Sequence, residues 1–357
     1  MVAVNLTDDK LNPFPGLRPF RPGESDFFFG REDESAEVTE KLLRNRFVAV
    51  TGSTGSGKSS LVLCGVIPSI KRHAAAEGEK WSFIVTHPGK DPFRDITSAI
   101  SGPDRDGKTL LFVDQLEEIF RYYNHHISDP SGYDAKEFIN LLVSVANGSR
   151  PDVYLIVAIR SDMIYLCEHY RGFSDILNNS SFLVSPLSRN GICKAIKGPL
   201  DMAGVAIDDD LVELLANEAA ESSDQLLLLQ HAMLNTWNCW KRMNEHERPV
   251  DLSDYGSVGS MKDSISIHAD EVYFGLDNNC RTICEKMFRI ISGKSPDDKN
   301  IRYLSTFLDL KLSVPCNEED LLKVMEGFRN PLFSFLTPPS AVPLTDETVI
   351  DLAHESL

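Results

Sequence analysis

The chain has 357 residues, enough for two or three domains with separate cores, and its 42% apolar and 25% charged residues are ordinary for a globular protein. With 53 acidic residues against 36 basic ones, the net charge of −17 works against non-specific binding to nucleic-acid phosphates. There is no run of about 18 apolar residues, and the N-terminus lacks a basic region followed by an apolar one, so no membrane span or export signal is expected and the chain reads as cytoplasmic.

Residues 1–25 carry Pro13, Pro15, Pro19 and Pro22 with Phe14 and Phe20, which resists helix and strand and predicts an irregular arm that packs through its aromatics. A helix follows to Leu43, with Asp33, Glu34 and Glu37 early and Lys41 and Arg44 late, the charge order that suits the helix dipole. Phe47-Val-Ala-Val-Thr51 is an apolar, β-branched strand. It runs into Gly52-Ser-Thr-Gly-Ser-Gly57-Lys58-Ser59 and then a helical Leu61-Val62-Leu63. Further strands are predicted at Trp81–Thr86, Leu110–Val113, Val153–Ile159 and Phe182–Val184, with a helix from Ala135 to Ala146. Near-continuous apolar strands alternating with helices describe a parallel sheet flanked by helices on both faces, an α/β domain over residues 26–187.

From Ser188 the pattern turns helical, and residues 188–293 form a predicted helical domain. Asp208-Asp209-Asp210 starts one helix, and Ile283, Met287, Ile290 and Ile291 make the apolar stripe of another. Gly293–Asn300 marks a boundary. Over residues 294–357, helices at Ile301–Leu310 and Glu318–Glu326 precede strands at Leu332–Leu336 and Thr348–Leu352 across a proline-rich turn, the order of a winged-helix domain. Seven scattered cysteines without a C-x-x-C pair are expected as thiols, mostly buried. Lys241-Arg242 with Arg248, interleaved with Glu245 and Glu247, reads as a solvated helix face, and His125-His126 with Asp129 as an exposed loop rather than a metal site.

The strand, glycine loop and helix after Phe47 make a phosphate cradle. Glycines let successive backbone N–H groups turn inward, and the helix N-terminus adds partial positive charge. Gly52, Ser53, Thr54, Gly55, Ser56, Gly57, Lys58, Ser59 and Ser60 are therefore the candidate nucleotide-binding residues; Lys58 reaches the β/γ phosphates and Ser59 ligates Mg²⁺. Asp114, ending the third strand, is the candidate Walker B carboxylate and second Mg²⁺ residue, holding the ion through its waters. Glu117 or Glu118 would orient the attacking water, and Glu118 is the preferred of the two. Arg160, ending the fourth strand, is placed to sense the γ-phosphate; an ion pair with Asp162 is the competing reading.

Taken in order, Asn12-Pro-Phe-Pro-Gly-Leu-Arg-Pro-Phe20, Phe28-Phe-Gly-Arg-Glu32, the Gly52–Ser59 loop, Val113-Asp-Gln-Leu-Glu-Glu118, the strand ending at Arg160, and Ala353-His-Glu-Ser-Leu357 resemble the novel STAND NTPase family 1. The resemblance implies a P-loop signalling ATPase, closed over ADP and opening to self-oligomerise with ATP, weak in hydrolysis, in bacterial signalling or antiphage defence. It places Gly30 and Arg31 beside the adenine, makes Arg160 the first sensor, and has His354 touch the β-phosphate in the closed state. Leu227 stands where the family usually carries proline, which alters one contact to ADP. Family chains continue past His-Glu-Ser-Leu, so a C-terminal sensor or repeat domain is expected beyond this sequence. An AAA+-like motor and a winged-helix DNA-binding regulator are the rival readings.

Overall fold

A computed structural model describes residues 12–88, 96–97, 107–120, 135–222, 225–243, 248–257, 259–292, 305–330 and 335–353. The chain divides into two compact units, Phe20–Gly191 and Met1–Pro19 with Ile192–Leu357. The sheet unit opens with helix α1 (Glu32–Asn45) and strand β1 (Phe47–Gly52). Helix α2 (Lys58–Ser60) continues through a widened π turn (Leu61–Val66) into α3 (Ile67–Glu77). Strands β2 (Trp81–Thr86) and β3 (Lys108–Val113), helix α4 (Ala135–Ala146), strand β4 (Val153–Arg160), helix α5 (Arg171–Asn179) and strand β5 (Ser181–Leu183) follow.

The five strands are parallel, in the order β2-β3-β4-β1-β5. Alternate side chains feed two cores, as a two-residue period requires. Phe47, Ala49, Leu111, Val113, Leu155 and Val157 pack with α4 and α5, while Val48, Val50, Leu110, Phe112, Ile156 and Ala158 pack with α1, the π turn and α3. Each such burial is worth about 1.5–3 kcal/mol for a large aliphatic side chain. Helices therefore cover both faces, and the carboxyl ends of β1, β2, β3 and β4 are brought to one edge. A close contact fixes α1 at its start: Gly30 has φ +87°, and a Cβ there would lie 2.4 Å from the Gly191 carbonyl oxygen.

The arm behaves as its composition predicts, with Phe14, Leu17 and Phe20 buried. Phe14 and Leu17 belong to the second unit, where Gly16 approaches Leu234 so closely that a Cβ would meet it at 2.5 Å. Phe20 belongs to the sheet unit, its ring edge-on to Phe28 at 5.7 Å.

The second unit is built from α6 (Arg189–Ala203), inside which the division falls, then α7 (Asp209–Ala220), α8 (Gln225–Arg242), α9 (Leu252–Gly256), α10 (Ser264–Gly275) and α11 (Asn278–Ile291). Asp208 caps α7 by accepting the Asp210 N–H at 3.3 Å. Helix α8 is buried nearly all round, including Leu227, which makes it the core of this unit. Strand β6 (Ser305–Thr306), α12 (Phe307–Ser313), α13 (Glu318–Arg329), β7 (Leu336–Thr337) and β8 (Val349–Leu352) end the unit, with an antiparallel sheet in the order β6-β8-β7.

Several details differ from the sequence reading. Ser305 and Thr306 are strand rather than helix, because Thr306 and Asp309 form a reciprocal capping box that starts the helix at Phe307. Arg248 is not on a helix face, since α8 stops at Arg242; it donates to both carboxylate oxygens of buried Asp254 at 2.7 and 2.6 Å. Cys64, Cys167, Cys280 and Cys284 are buried, whereas Cys193, Cys239 and Cys316 are half-buried. His125, His126, Asp129, Asp224, Glu245, Glu247 and residues 293–304 and 331–334 lie outside the described residues. Among the described residues no helix is long and apolar enough to cross a membrane.

Fully buried His231 of α8 faces His268 of α10, with 3.1 Å between His231 Nε2 and His268 Nδ1; Asn235 lies 2.9 Å from the same Nδ1, and the Phe335 ring closes the third side. Glu271 and Arg242 are the charges beside His268. Burial, then the neighbouring His268, pushes His231 down to about 3. The unfolded chain accepts a proton near pH 6.5 and the folded chain does not, so stability is present above pH 6.5 and is lost as pH falls toward 3. Denaturant midpoints should fall over pH 6.5 to 4, by at most about 1.4 kcal/mol per pH unit for this histidine, and His231→Phe should flatten that slope. A second test concerns Gly30. Gly30→Ala should cost about 2 kcal/mol or more by chemical unfolding, and measurably more than Gly23→Ala, where the backbone is also left-handed but nothing lies within 4 Å.

Candidate nucleotide site

The loop after β1 takes its shape from Gly55 (φ +72°) and Gly57 (φ +90°), conformations that cost an L-residue about 1–2 kcal/mol. Gly52 is required for space: a Cβ there would sit 2.6 Å from Ser56 Oγ and 3.2 Å from the Val184 carbonyl. Ser56 Oγ is buried and finds no partner among the described residues. An orphaned hydroxyl inside a glycine loop at a helix start is chemistry that suits a phosphate oxygen. Lys58 is the first helical residue, and its ammonium donates to the carbonyls of Gly52 at 3.0 Å and Ser53 at 2.7 Å. Burial lowers the Lys58 pKa, Glu117 and Asp114 oppose that shift, and Arg160 adds to it.

The Ser59 hydroxyl donates to Asp114 Oδ1 at 2.9 Å. Ser59 and Asp114 are the residues that would hold a Mg²⁺, for which hydroxyl and carboxylate oxygens are suitable partners. Among the described residues no group of three acidic, histidine or cysteine side chains could hold a metal alone. Mg²⁺ takes one or two protein oxygens and completes its shell with waters and substrate phosphates. Asp114 is 4% exposed; its Oδ1 also accepts the Gln115 N–H at 3.0 Å.

Gln115, just after Asp114, has φ +54°. Glu117 is buried, accepts the Arg160 backbone N–H at 3.3 Å, and lies close enough to Lys58 for their charges to interact. Burial raises its pKa, countered in part by Lys58. Glu118 is half-buried, and its charge acts on His87 instead.

Arg160 forms the ion pair considered from sequence: Nε and Nη2 donate to the two Asp162 oxygens at 3.1 and 2.6 Å. Ser60 Oγ accepts the Phe20 N–H at 3.1 Å, so its hydroxyl is engaged with the arm. Ser53 is exposed and Thr54 half-buried on the loop. Arg31 is 3% exposed, with its guanidinium on Glu34 and the Ser56 carbonyl. Gly30 donates its N–H to Glu32 Oε1 at 2.8 Å. His354 lies outside the described residues.

The sequence reading missed His87. It follows β2, and the register Thr86↔Val113 sets it beside Asp114, with Nε2 3.6 Å from Oδ2, a charge contact rather than a hydrogen bond. Asp114 and, more weakly, Glu118 raise its pKa against partial desolvation of an otherwise exposed ring. The available signal was its place just past an apolar strand, useful only once β2 and β3 are known to be neighbours.

No curated protein matches the chain. Among solved structures, the Aeropyrum pernix Orc1 protein in complex with DNA is similar at 14% identity and a TM-score of 0.48, with 94% of this chain and 92% of that one covered. A Walker-type ATPase of Pyrococcus abyssi gives 14% and 0.45, covering 94% and 96%. The Thermotoga maritima RuvB branch-migration motor gives 16% and 0.43, covering 93% and 96%. A family model described as Novel STAND NTPase 1 matches residues 13–357, nearly the whole sequence. The chain belongs to that P-loop NTPase family.

Proposed function

We propose that this protein is an ATP/ADP switch with weak Mg²⁺-dependent ATPase activity. The observation that carries the reading is the Ser59–Asp114 contact at 2.9 Å beside the lysine of a left-handed glycine loop. Asp114 and Glu117 would repel a polyphosphate, and a divalent cation at Ser59 and Asp114 removes that conflict. When bound, Mg²⁺ neutralises charge on the transferring phosphate.

The chain's own groups then have separate tasks. The loop N–H groups and Ser56 hydroxyl hold phosphate oxygens, and Lys58 leaves the Gly52 and Ser53 carbonyls for the β/γ oxygens. Glu117, rather than Glu118, orients the attacking water, because it is the buried carboxylate near Lys58 and the Arg160 backbone. Arg160 exchanges Asp162 for the γ-phosphate. Slow turnover follows from these partners: Lys58 and Arg160 must each give up existing bonds.

The order α11-β6-α12-α13-β7-β8 with a β6-β8-β7 sheet supports a winged-helix reading of the C-terminal region. Residues 26–187 and 188–293 are read as the nucleotide-binding and helical domains. The family supports the rest of the scheme, in which ADP closes the protein, ATP opens it to self-association, and His354 reports on the β-phosphate. A role in bacterial signalling or antiphage defence belongs to the same reading.

Lys58→Ala should weaken ADP and ATP binding at least about 100-fold by calorimetry. Glu117→Gln should retain binding and slow hydrolysis by about 10²-fold or more, whereas Glu118→Gln should stay within about threefold of wild type. Unchanged affinity in the Lys58 variant would sink the nucleotide reading. A large hydrolytic loss confined to the Glu118 variant would reverse the assignment of the glutamates.

A further inference from the structure

We infer that Arg31 is a positioning residue of the phosphate loop: its buried guanidinium grips the Ser56 carbonyl and sets the direction of the Gly57 N–H, instead of contacting the base. This rests on the nucleotide reading above and gives Arg31 a different task from the adenine contact that family resemblance suggests.

The geometry carries it. Arg31 is 3% exposed, with Nη1 2.8 Å from Glu34 Oε1 and Nη2 donating to the Ser56 carbonyl at 3.3 Å. A buried charge is tolerated only when paired, and here both contacts are made by one planar fork. Ser56 sits between two left-handed glycines, Gly55 at φ +72° and Gly57 at φ +90°. The Ser56–Gly57 peptide turns about ψ of Ser56 and φ of Gly57, and Gly57 has no Cβ to resist either orientation on its side. The peptide is trans and planar, so its C=O and N–H point in opposite directions. Holding the carbonyl on the Arg31 side therefore turns the Gly57 N–H away from Arg31. That N–H opens the helix beginning at Lys58, where an anion is bound by backbone donors.

The clamp has a rigid base. The Arg31 carbonyl accepts the Ser35 N–H at 2.9 Å and the Ser35 hydroxyl at 2.6 Å. Ser35 in turn packs where Gly65 of the π turn has no side chain, since a Cβ on Gly65 would lie 2.1 Å from Ser35 Oγ. The start of α1 is thus anchored to the same helical run that begins at the phosphate loop. Lysine in place of Arg31 would keep a charge and lose the fork that reaches both Glu34 and Ser56.

The test compares three probes on the full chain by titration calorimetry: ADP, GDP and inorganic pyrophosphate. Arg31→Lys should weaken all three by a similar factor, roughly tenfold, and leave the ADP-to-GDP affinity ratio within about twofold of wild type. Thermal unfolding of each variant shows that the measured molecules are folded. Glu34→Gln, which keeps the guanidinium and removes its anionic partner, should give a smaller uniform loss, and it carries the test alone if Arg31→Lys does not fold. A loss confined to ADP with pyrophosphate unaffected, or no loss for any probe, would overturn the inference while leaving the nucleotide reading intact. A wild-type chain that binds none of the three removes both.

Discussion

The proposed site depends on the contact between the Ser59 hydroxyl and the Asp114 carboxylate. These residues are 55 positions apart, and their 2.9 Å separation exists only because two strands of one parallel sheet end at the same level. Strand β4 lies between β1 and β3, so Arg160 emerges from the sheet between the loop lysine and Asp114. The consequence is electrostatic. Asp114, Glu117 and Arg160 lie close enough for their charges to act on the Lys58 ammonium, and Lys58 and Asp114 act in turn on the Glu117 carboxylate. Lys58 bonds to the loop carbonyls and Arg160 to Asp162.

In the proposed function these contacts suit a switch better than a fast enzyme. Each resting bond must be exchanged for a bond to nucleotide, so part of the binding free energy is spent on rearrangement. A loop whose peptide is held by Arg31 limits that rearrangement to side chains. Two kinds of constraint therefore meet at Ser56: its carbonyl is fixed from one side, while its hydroxyl has no partner among the described residues.

Much of the sheet unit was legible in the sequence, for physical reasons. The strands alternate side chains between two cores, so runs such as Val153–Ile159 are apolar at every position, and Ala135–Ala146 carries its apolar residues on a helical period. The glycine loop was legible because few sequences place glycines, lysine and serine between such a strand and such a helix. What escaped depended on backbone direction or on strand order. Glu117 and Glu118 are adjacent, and only the folded backbone decides which lies near Lys58. His87 gains its meaning from lying beside Asp114 across a strand pairing that connects residues far apart in sequence. Ser305 and Thr306 read as helix because the capping box at Thr306 and Asp309 is a hydrogen-bond pattern and not a periodicity.

The most direct test of this account is the Mg²⁺ dependence of affinity for a non-hydrolysable ATP analogue, measured by calorimetry on the wild-type chain and on Asp114→Asn. The account predicts that Mg²⁺ tightens binding to the wild type by about tenfold or more and that Asp114→Asn loses most of this gain while staying folded. Equal gains in the two proteins, or no binding to the wild type with or without Mg²⁺, would contradict it.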